Sequence, residues 1–238
     1  MHKRRLALAG AAALLLAGCG GSDESASDSA ASASSESGSE LSRMEAAEVV
    51  DASFTALEES GAARVVGSIE ENGSVQELDL QLQGEDVAGS ITMDGVAVEL
   101  ISVGGQAYVL APGDFWASFG MPPEFAGQLE GQWVLMPTEA ADSFASLTLS
   151  GLVDQLRSSG GDSVKGKVTT DELDGEKVVV VTQSNGSTFT AVDDDANPYP
   201  LAIEEQGDVP ATVEFSGFGE PAEIAAPPNP FDLNTLGG

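Results

Sequence analysis

The chain has 238 residues, with 9 Lys+Arg against 39 Asp+Glu, a formal net charge of −30, one His and one Cys. One Cys excludes an internal disulfide and a thiolate zinc site, one His excludes a two-histidine metal site, and the charge excludes a nucleic-acid binder, which needs Lys and Arg for phosphate contacts. Apolar residues at 42 % are too many for a wholly disordered chain, while aromatics at 5 % leave the core to Val, Leu and Ile.

The N-terminus reads as an export signal. His2, Lys3, Arg4 and Arg5 form a basic stretch, and Leu6 to Leu16 form an apolar run of eleven residues, the n- and h-regions of a signal peptide. The run is too short to span a bilayer as a helix, which takes about 20 residues. It ends in Leu16-Ala17-Gly18-Cys19, which resembles a bacterial lipobox. That resemblance implies cleavage before Cys19 and acylation of its thiol by a diacylglyceryl group with palmitate-type chains. The product would be lipid-anchored to the extracytoplasmic face of the cell membrane. Two acyl chains anchor firmly, at about 0.8 kcal/mol per buried CH₂. The alternative is an ordinary secretory signal with an incidental Cys.

Removing the signal, residues 1–18, takes away three bases, the single His and no acid, so six bases face 39 acids and the charge becomes −33. With no His and an alkylated Cys, the mature chain has no Ser-His-Asp, Cys-His or zinc chemistry. No metal or cofactor is expected. Residues 19–41 comprise the lipidated Cys and a tether of Ser, Ala, Gly and acids, which cannot bury enough apolar surface to offset chain entropy. About 21 such residues reach roughly 25 Å. Residues 42–238 are expected to form one domain.

Within that domain, Ser42-Arg-Met-Glu45 has capping-box spacing, and Met44, Ala47, Val50, Phe54 and Leu57 recur at helical intervals, ending at Gly61. The period then changes to two. Extended runs over 64–70, 75–83, 87–93, 96–103 and 106–110 are joined by Asn72-Gly73, Asp94-Gly95 and Gly104-Gly105 turns, a five-stranded antiparallel meander. Residues 112–160 interrupt it with three short helix-compatible stretches and one strand at 132–137. A second meander follows over 164–173, 176–183, 187–193, 201–205 and 211–218, with Asp174-Gly175 and Asn185-Gly186 turns. Val178 to Val181 is apolar on both faces, so that strand should be buried on both sides. The Pro227-Pro-Asn-Pro230 tail cannot be a central strand and should run along the surface.

The stretches Val103-Gly-Gly-Gln-Ala-Tyr-Val109, Phe115-Trp116, Gly131-Gln-Trp133-Val and Asn197-Pro-Tyr-Pro-Leu201, in that order behind a lipobox and an acidic tether, resemble the LppX/LprG-like lipoproteins of actinobacteria, which share the LolA-type fold. The likeness covers about residues 42–225. It implies an α+β architecture: an antiparallel half-barrel of about 10–11 strands with short helices on its concave face as a lid. It further implies binding of acylated lipids or glycolipids in a cavity, for lipid transfer, and not an enzyme. It carries over no ligand residue.

Alternation of the strands independently nominates Leu78, Leu80, Leu82, Val98, Leu100, Tyr108 and Leu110 as inward, cavity-lining positions. Phe115, Trp116, Phe119 and Trp133 are lid or rim candidates. For any one of these side chains taken alone, plain core packing is the alternative, and the cavity rests on the architecture and not on a single residue. Asp193-Asp194-Asp195-Ala-Asn197 has the carboxylates for calcium but lacks the Gly and distal Glu of an EF-hand loop, and reads as a solvated turn. Glu58-Glu59 and Glu70-Glu71 read as exposed element ends rather than a glycosidase pair. The expected partners are the membrane, through the anchor, and a hydrophobic lipid; no nucleic acid is expected and no protein partner is nominated. The alternative from another class is an interaction or sensor lipoprotein on the same fold.

Overall fold

A computed structural model describes residues 38–236 other than 72, 119, 139–143, 145–146 and 161–163. The chain enters through a 3-10 turn, Leu41–Arg43, and continues as helix α1, Ala46–Glu59. The cap of α1 lies three residues later than the sequence implied. Glu45 accepts from the N–H of Glu48, and Glu48 in return accepts from the N–H of Glu45 at 3.0 Å. Ser42 instead closes the preceding turn against Ser39. A carboxylate at the cap gains from the positive end of the helix, which a Ser hydroxyl does not. Gly61, at φ +70°, ends the helix and starts the sheet.

The first meander is β1 (Ala62–Glu71), β2 (Ser74–Gln83), β3 (Asp86–Met93), β4 (Val96–Val103) and β5 (Gln106–Leu110). Helices α2 (Gly113–Ser118) and α3 (Pro123–Leu129), the two-residue β6 (Val134–Leu135) and helix α4 (Leu149–Gly160) make up the insert. The second meander is β7 (Gly166–Leu173), β8 (Glu176–Gln183), β9 (Thr188–Val192), β10 (Pro200–Glu205) and β11 (Ala211–Ser216), and Phe231–Asp232 form β12. Asp94-Gly95 and Asp174-Gly175 both take positive φ at the two central positions, the hairpin turn that matches strand twist.

Among the described residues these strands form one sheet in the order β12-β6-β5-β4-β3-β2-β1-β11-β10-β9-β8-β7. Neighbours are antiparallel except β12 and β6, which are parallel. The sheet is open, and β1 joins its halves, pairing with β2 on one side and β11 on the other. The tail does not stay on the surface throughout: Pro227 is buried, and Phe231 pairs with Val134 at the edge.

One face of the sheet is apolar because the registers align. Val65 stands opposite both Leu80 and Phe215, Leu82 opposite Val87, and Val181 opposite Phe189. Helix α1 covers this face with Val49, Val50, Phe54 and Leu57, and α4 adds Leu149 and Val153. The Phe54 ring meets Phe189 edge-on at 5.6 Å. Each such buried side chain contributes about 1.5–3 kcal/mol by its removal from water. A second cluster joins Trp116, Ala126 and Leu129 of α2 and α3 to Val98, Val109 and Val134, and the half-buried Phe144 packs against both clusters. Val178 and Val179, which face opposite sides of the sheet, are both buried, as the doubly apolar run implied.

Gly89 sets how closely β2 and β3 approach. A Cβ there would lie 2.0 Å from the carbonyl oxygen of Asp79, and the residue's φ is +156°. Gly89→Ala should therefore cost on the order of 3 kcal/mol. The measurement is urea unfolding, where the midpoint falls with the slope unchanged.

Candidate functional site

Concave burial falls along the strands toward the Asp94-Gly95 turn. Leu82 is 0 % and Leu80 4 % exposed, Leu78 is half-buried, and on neighbouring strands Ile69 and Met93 reach 36 % and 42 %. The helices therefore cover one end of the apolar face and leave the other partly open. Toward that end one row runs across five strands, Val213–Gly67–Leu78–Ile91–Val98, in which Val213, Leu78 and Ile91 are half-buried and Gly67 and Val98 are buried. Beside it lie Ala211–Ile69 and Met93–Val96. With strands about 4.8 Å apart the row is about 19 Å wide, long enough for an extended acyl chain. Gly67 keeps it smooth, because a Cβ there would sit 3.3 Å from the Leu78 side chain and 3.2 Å from the Thr212 carbonyl.

Of the sequence candidates, Leu78, Leu80, Leu82, Val98 and Leu100 lie on this concave face: Leu80, Leu82 and Leu100 in the closed part, Leu78 in the half-buried row, and Val98 at the end of that row where α2 and α3 cover it. Tyr108 and Leu110 do not. Leu100 stands opposite Val109, so Tyr108 and Leu110 fall on the convex face opposite Ile101 and Glu99. Strand β5 is apolar on both faces, with Ala107, Tyr108 and Val109 all buried, and its pattern alone could not choose between them. The Tyr108 hydroxyl donates to Gln106 Oε1 at 3.0 Å.

Phe115 and Trp116 meet edge-on at 5.2 Å in α2, and Trp116 belongs to the second core cluster at 1 % exposure rather than to an exposed rim. Its indole Nε1–H has no acceptor among the described residues. Phe119 lies outside the described residues, as do Cys19, the leader and most of the tether. Trp133 lines a convex-face groove of about 480 Å³ with Gln81, Glu99 and Ile101, and so is not part of the concave site. Sequence reading missed Ile69, Ile91, Met93, Val96 and Val213. Their alternation with Ser68, Ser90, Thr92 and Thr212 was visible, but only the pairing register shows that all five share the face of Leu78.

Over β1–β3 and β11 the convex face is polar. A groove of about 420 Å³ is lined by Ser68, Glu77, Asp79, Thr92, Thr212 and Glu214 among others. Arg64 forks onto Asp79 at 2.9 and 2.7 Å, and this hydrogen-bonded pairing holds the Asp79 carboxyl below its ordinary range and the guanidinium above its own. The depressed carboxylate contributes stability above the unfolded-state value, which is lost as pH falls through the folded one. Both partners are about half exposed, so solvent screening keeps the contribution small.

The acidic turn after β9 is engaged with protein. Ser39 hydrogen-bonds Asp193, the Leu41 N–H donates to Asp195 at 3.0 Å, and Asp194 accepts from Ala196 at 2.7 Å. The turn thus pins the chain where it enters the domain. Glu58, read as an exposed element end, pairs with Arg157 at 3.1 Å and so ties α1 to α4. No helix among the described residues is long and apolar enough to cross a membrane.

The class of architecture is therefore an open antiparallel half-barrel with helices packed on its concave face. No protein-family model matches the chain, and no curated protein matches it in sequence. Among solved structures the chain is similar to the Mycobacterium tuberculosis lipoprotein LppX, at 12 % identity and a TM-score of 0.43, over 75 % of this chain and 97 % of that one. It is also similar to an uncharacterized conserved protein of Thermus thermophilus, at 11 % identity and a TM-score of 0.35, over 78 % and 96 %. A third is MucB, at 14 % identity and 0.35, over 78 % of this chain and 65 % of MucB.

Replacing Arg64 by Ala should return the Asp79 titration midpoint upward toward the ordinary carboxylate value. The readout is the side-chain carboxyl carbon shift followed by NMR across acidic pH.

Proposed function

We propose that the chain is a membrane-anchored extracytoplasmic lipoprotein whose concave face holds a hydrophobic ligand, an acylated lipid or glycolipid, for transfer. The observation that carries this reading is one row of the concave face on which Val213, Leu78 and Ile91 stay only half-buried, with the exposed Ile69 and Met93 beside it. Apolar surface that the fold's own helices leave open is free energy available to a ligand, at about 25 cal/mol per Å². The Trp116 Nε1–H, without an acceptor among the described residues, offers a polar contact. It packs in the cluster that contains Val98, and an ester or amide oxygen reaching it would offset the roughly 1–3 kcal/mol that an unmet buried donor costs. The anchor reading rests on Leu16-Ala17-Gly18-Cys19.

A second reading, a ligand-free interaction or sensor lipoprotein, draws support from the closed half of the concave face. There Val49, Leu57 and Leu82 are fully buried, which leaves no room for a guest.

Native mass spectrometry of the full chain after mild detergent extraction separates the two. A lipid adduct is expected for the wild type. Ile91→Glu should reduce it by about tenfold or more, because burying a carboxylate costs well over the roughly 1.4 kcal/mol that a factor of ten represents. A bare mass for the wild type, or an adduct indifferent to Ile91→Glu, contradicts the ligand reading. Separately, Cys19→Ala should move the protein from the detergent phase to the aqueous phase on partitioning; an unchanged distribution contradicts the anchor.

A further inference from the structure

The sheet ends differently at its two edges. At one, β12 is two residues long and runs into a 3-10 turn, so it offers little backbone for pairing. At the other, β7 is eight residues long and mostly exposed. Which of its backbone groups point outward follows from the ladder next to it. Gln183 donates to Ser187 and Asp193 donates to Lys177, so the odd-numbered residues of β8 bond β9. The even-numbered ones bond β7 and face Lys167, Thr169 and Asp171. The N–H and C=O groups of Gly166, Val168, Thr170 and Glu172 therefore point away from the sheet. Of these, the Glu172 N–H donates to the carboxylate of its neighbour Asp171 at 2.8 Å. No other described residue hydrogen-bonds this edge.

We propose that the chain pairs with a second copy of itself along β7, antiparallel, with the two-fold axis at Thr169. In that register Val168 stands opposite Thr170 of the second copy, and the two exchange outward N–H···O=C bonds, twice by symmetry. Lys167 stands opposite Asp171 of the second copy, also twice. Both are exposed, both lie on the convex face, and both fall at positions where facing side chains come closest. Gly166, without a side chain, faces Glu172.

Other arrangements lose the pairing of Lys167 with Asp171. Parallel pairing in register sets Lys167 beside Lys167 and Asp171 beside Asp171. A slide by two residues puts Lys167 against Leu173 or Thr169, and in the second case only Lys165, ahead of the strand, meets Asp171. Edge charges ordinarily serve to keep strands apart; here the charges within β7 itself match in the register centred on Thr169. The proposal is independent of the ligand reading, since this edge lies outside the open row.

The test is cross-linking of the full-length chain carrying Thr169→Cys, oxidised with copper–phenanthroline in 0.15 M salt, where charges more than about 8 Å apart are largely screened. Facing residues at the axis have Cα atoms about 4.5 Å apart, within disulfide reach, while Thr170 faces its own copy only diagonally. A dimer band on a non-reducing gel is expected from Thr169→Cys and not from Thr170→Cys or the wild type, whose one cysteine is Cys19. Adding Lys167→Glu should remove the band, and adding Asp171→Lys to that variant should restore it. No band above the wild type, an equal band from Thr170→Cys, or a band indifferent to the Lys167 charge reversal overturns the proposal.

Discussion

Val65 sits between Leu80 on one side and Phe215 on the other, and the rest of the fold depends on that contact. Strand β1 is where two separate meanders become one sheet. Because side chains alternate with a period of two, a one-residue slip on either side of β1 would turn half of the apolar face to solvent. The register couples the burial of α1 to both halves at once, since Val65, Leu80, Phe215 and Phe54 share one cluster. The two meanders meet through antiparallel pairing of residues about 150 positions apart, the kind of long-range contact that closes a large loop.

Given that register, the distribution of burial follows from the helices. Helix α1 and α4 are tied by Arg157, which reaches Glu58 at 3.1 Å and Thr55 at 3.0 Å, and together they close one end of the concave face. Helices α2 and α3 cover the β4–β6 side around Trp116. Neither pair reaches the strand ends that carry Ile69 and Met93. The open row is thus a consequence of where the helices stop, and no single side chain makes it. The opposite face, with Glu77, Glu99 and Glu214 exposed, shares in the large negative charge, and its apolar row Ala88–Ile101–Tyr108–Leu135 lies on β3–β6.

Much of this was legible in the sequence because turn chemistry and alternation are local. Asp94-Gly95, Gly104-Gly105 and Asp174-Gly175 all sit at hairpin turns with positive φ, and the strands they bound lie close to where period-two alternation put them. What failed to show was long-range. The faces of Tyr108 and Leu110 depend on which residue of β4 stands opposite, and β5 buries residues on both faces. Trp133, a bulky apolar residue beside a strand, turned out to lie over the convex groove. The cap of α1 shifted from Ser42 to Glu45 because Ser42 was already engaged with Ser39. The short parallel pairing of Phe231 with Val134 joins residues about a hundred positions apart and leaves no local mark.

An acyl chain held on the concave face would lie beside the second cluster, where Val98 meets Trp116. The chain has two tryptophans, which report from opposite faces of the sheet. The most direct measurement is fluorescence quenching by bromine-labelled acyl chains in a Trp133→Phe variant, with Trp116→Phe as its counterpart. Trp116 emission should be quenched by the brominated chain and not by its unlabelled form, while Trp133 emission is unaffected. Quenching confined to Trp133, or none at either tryptophan, would contradict an acyl chain on this face.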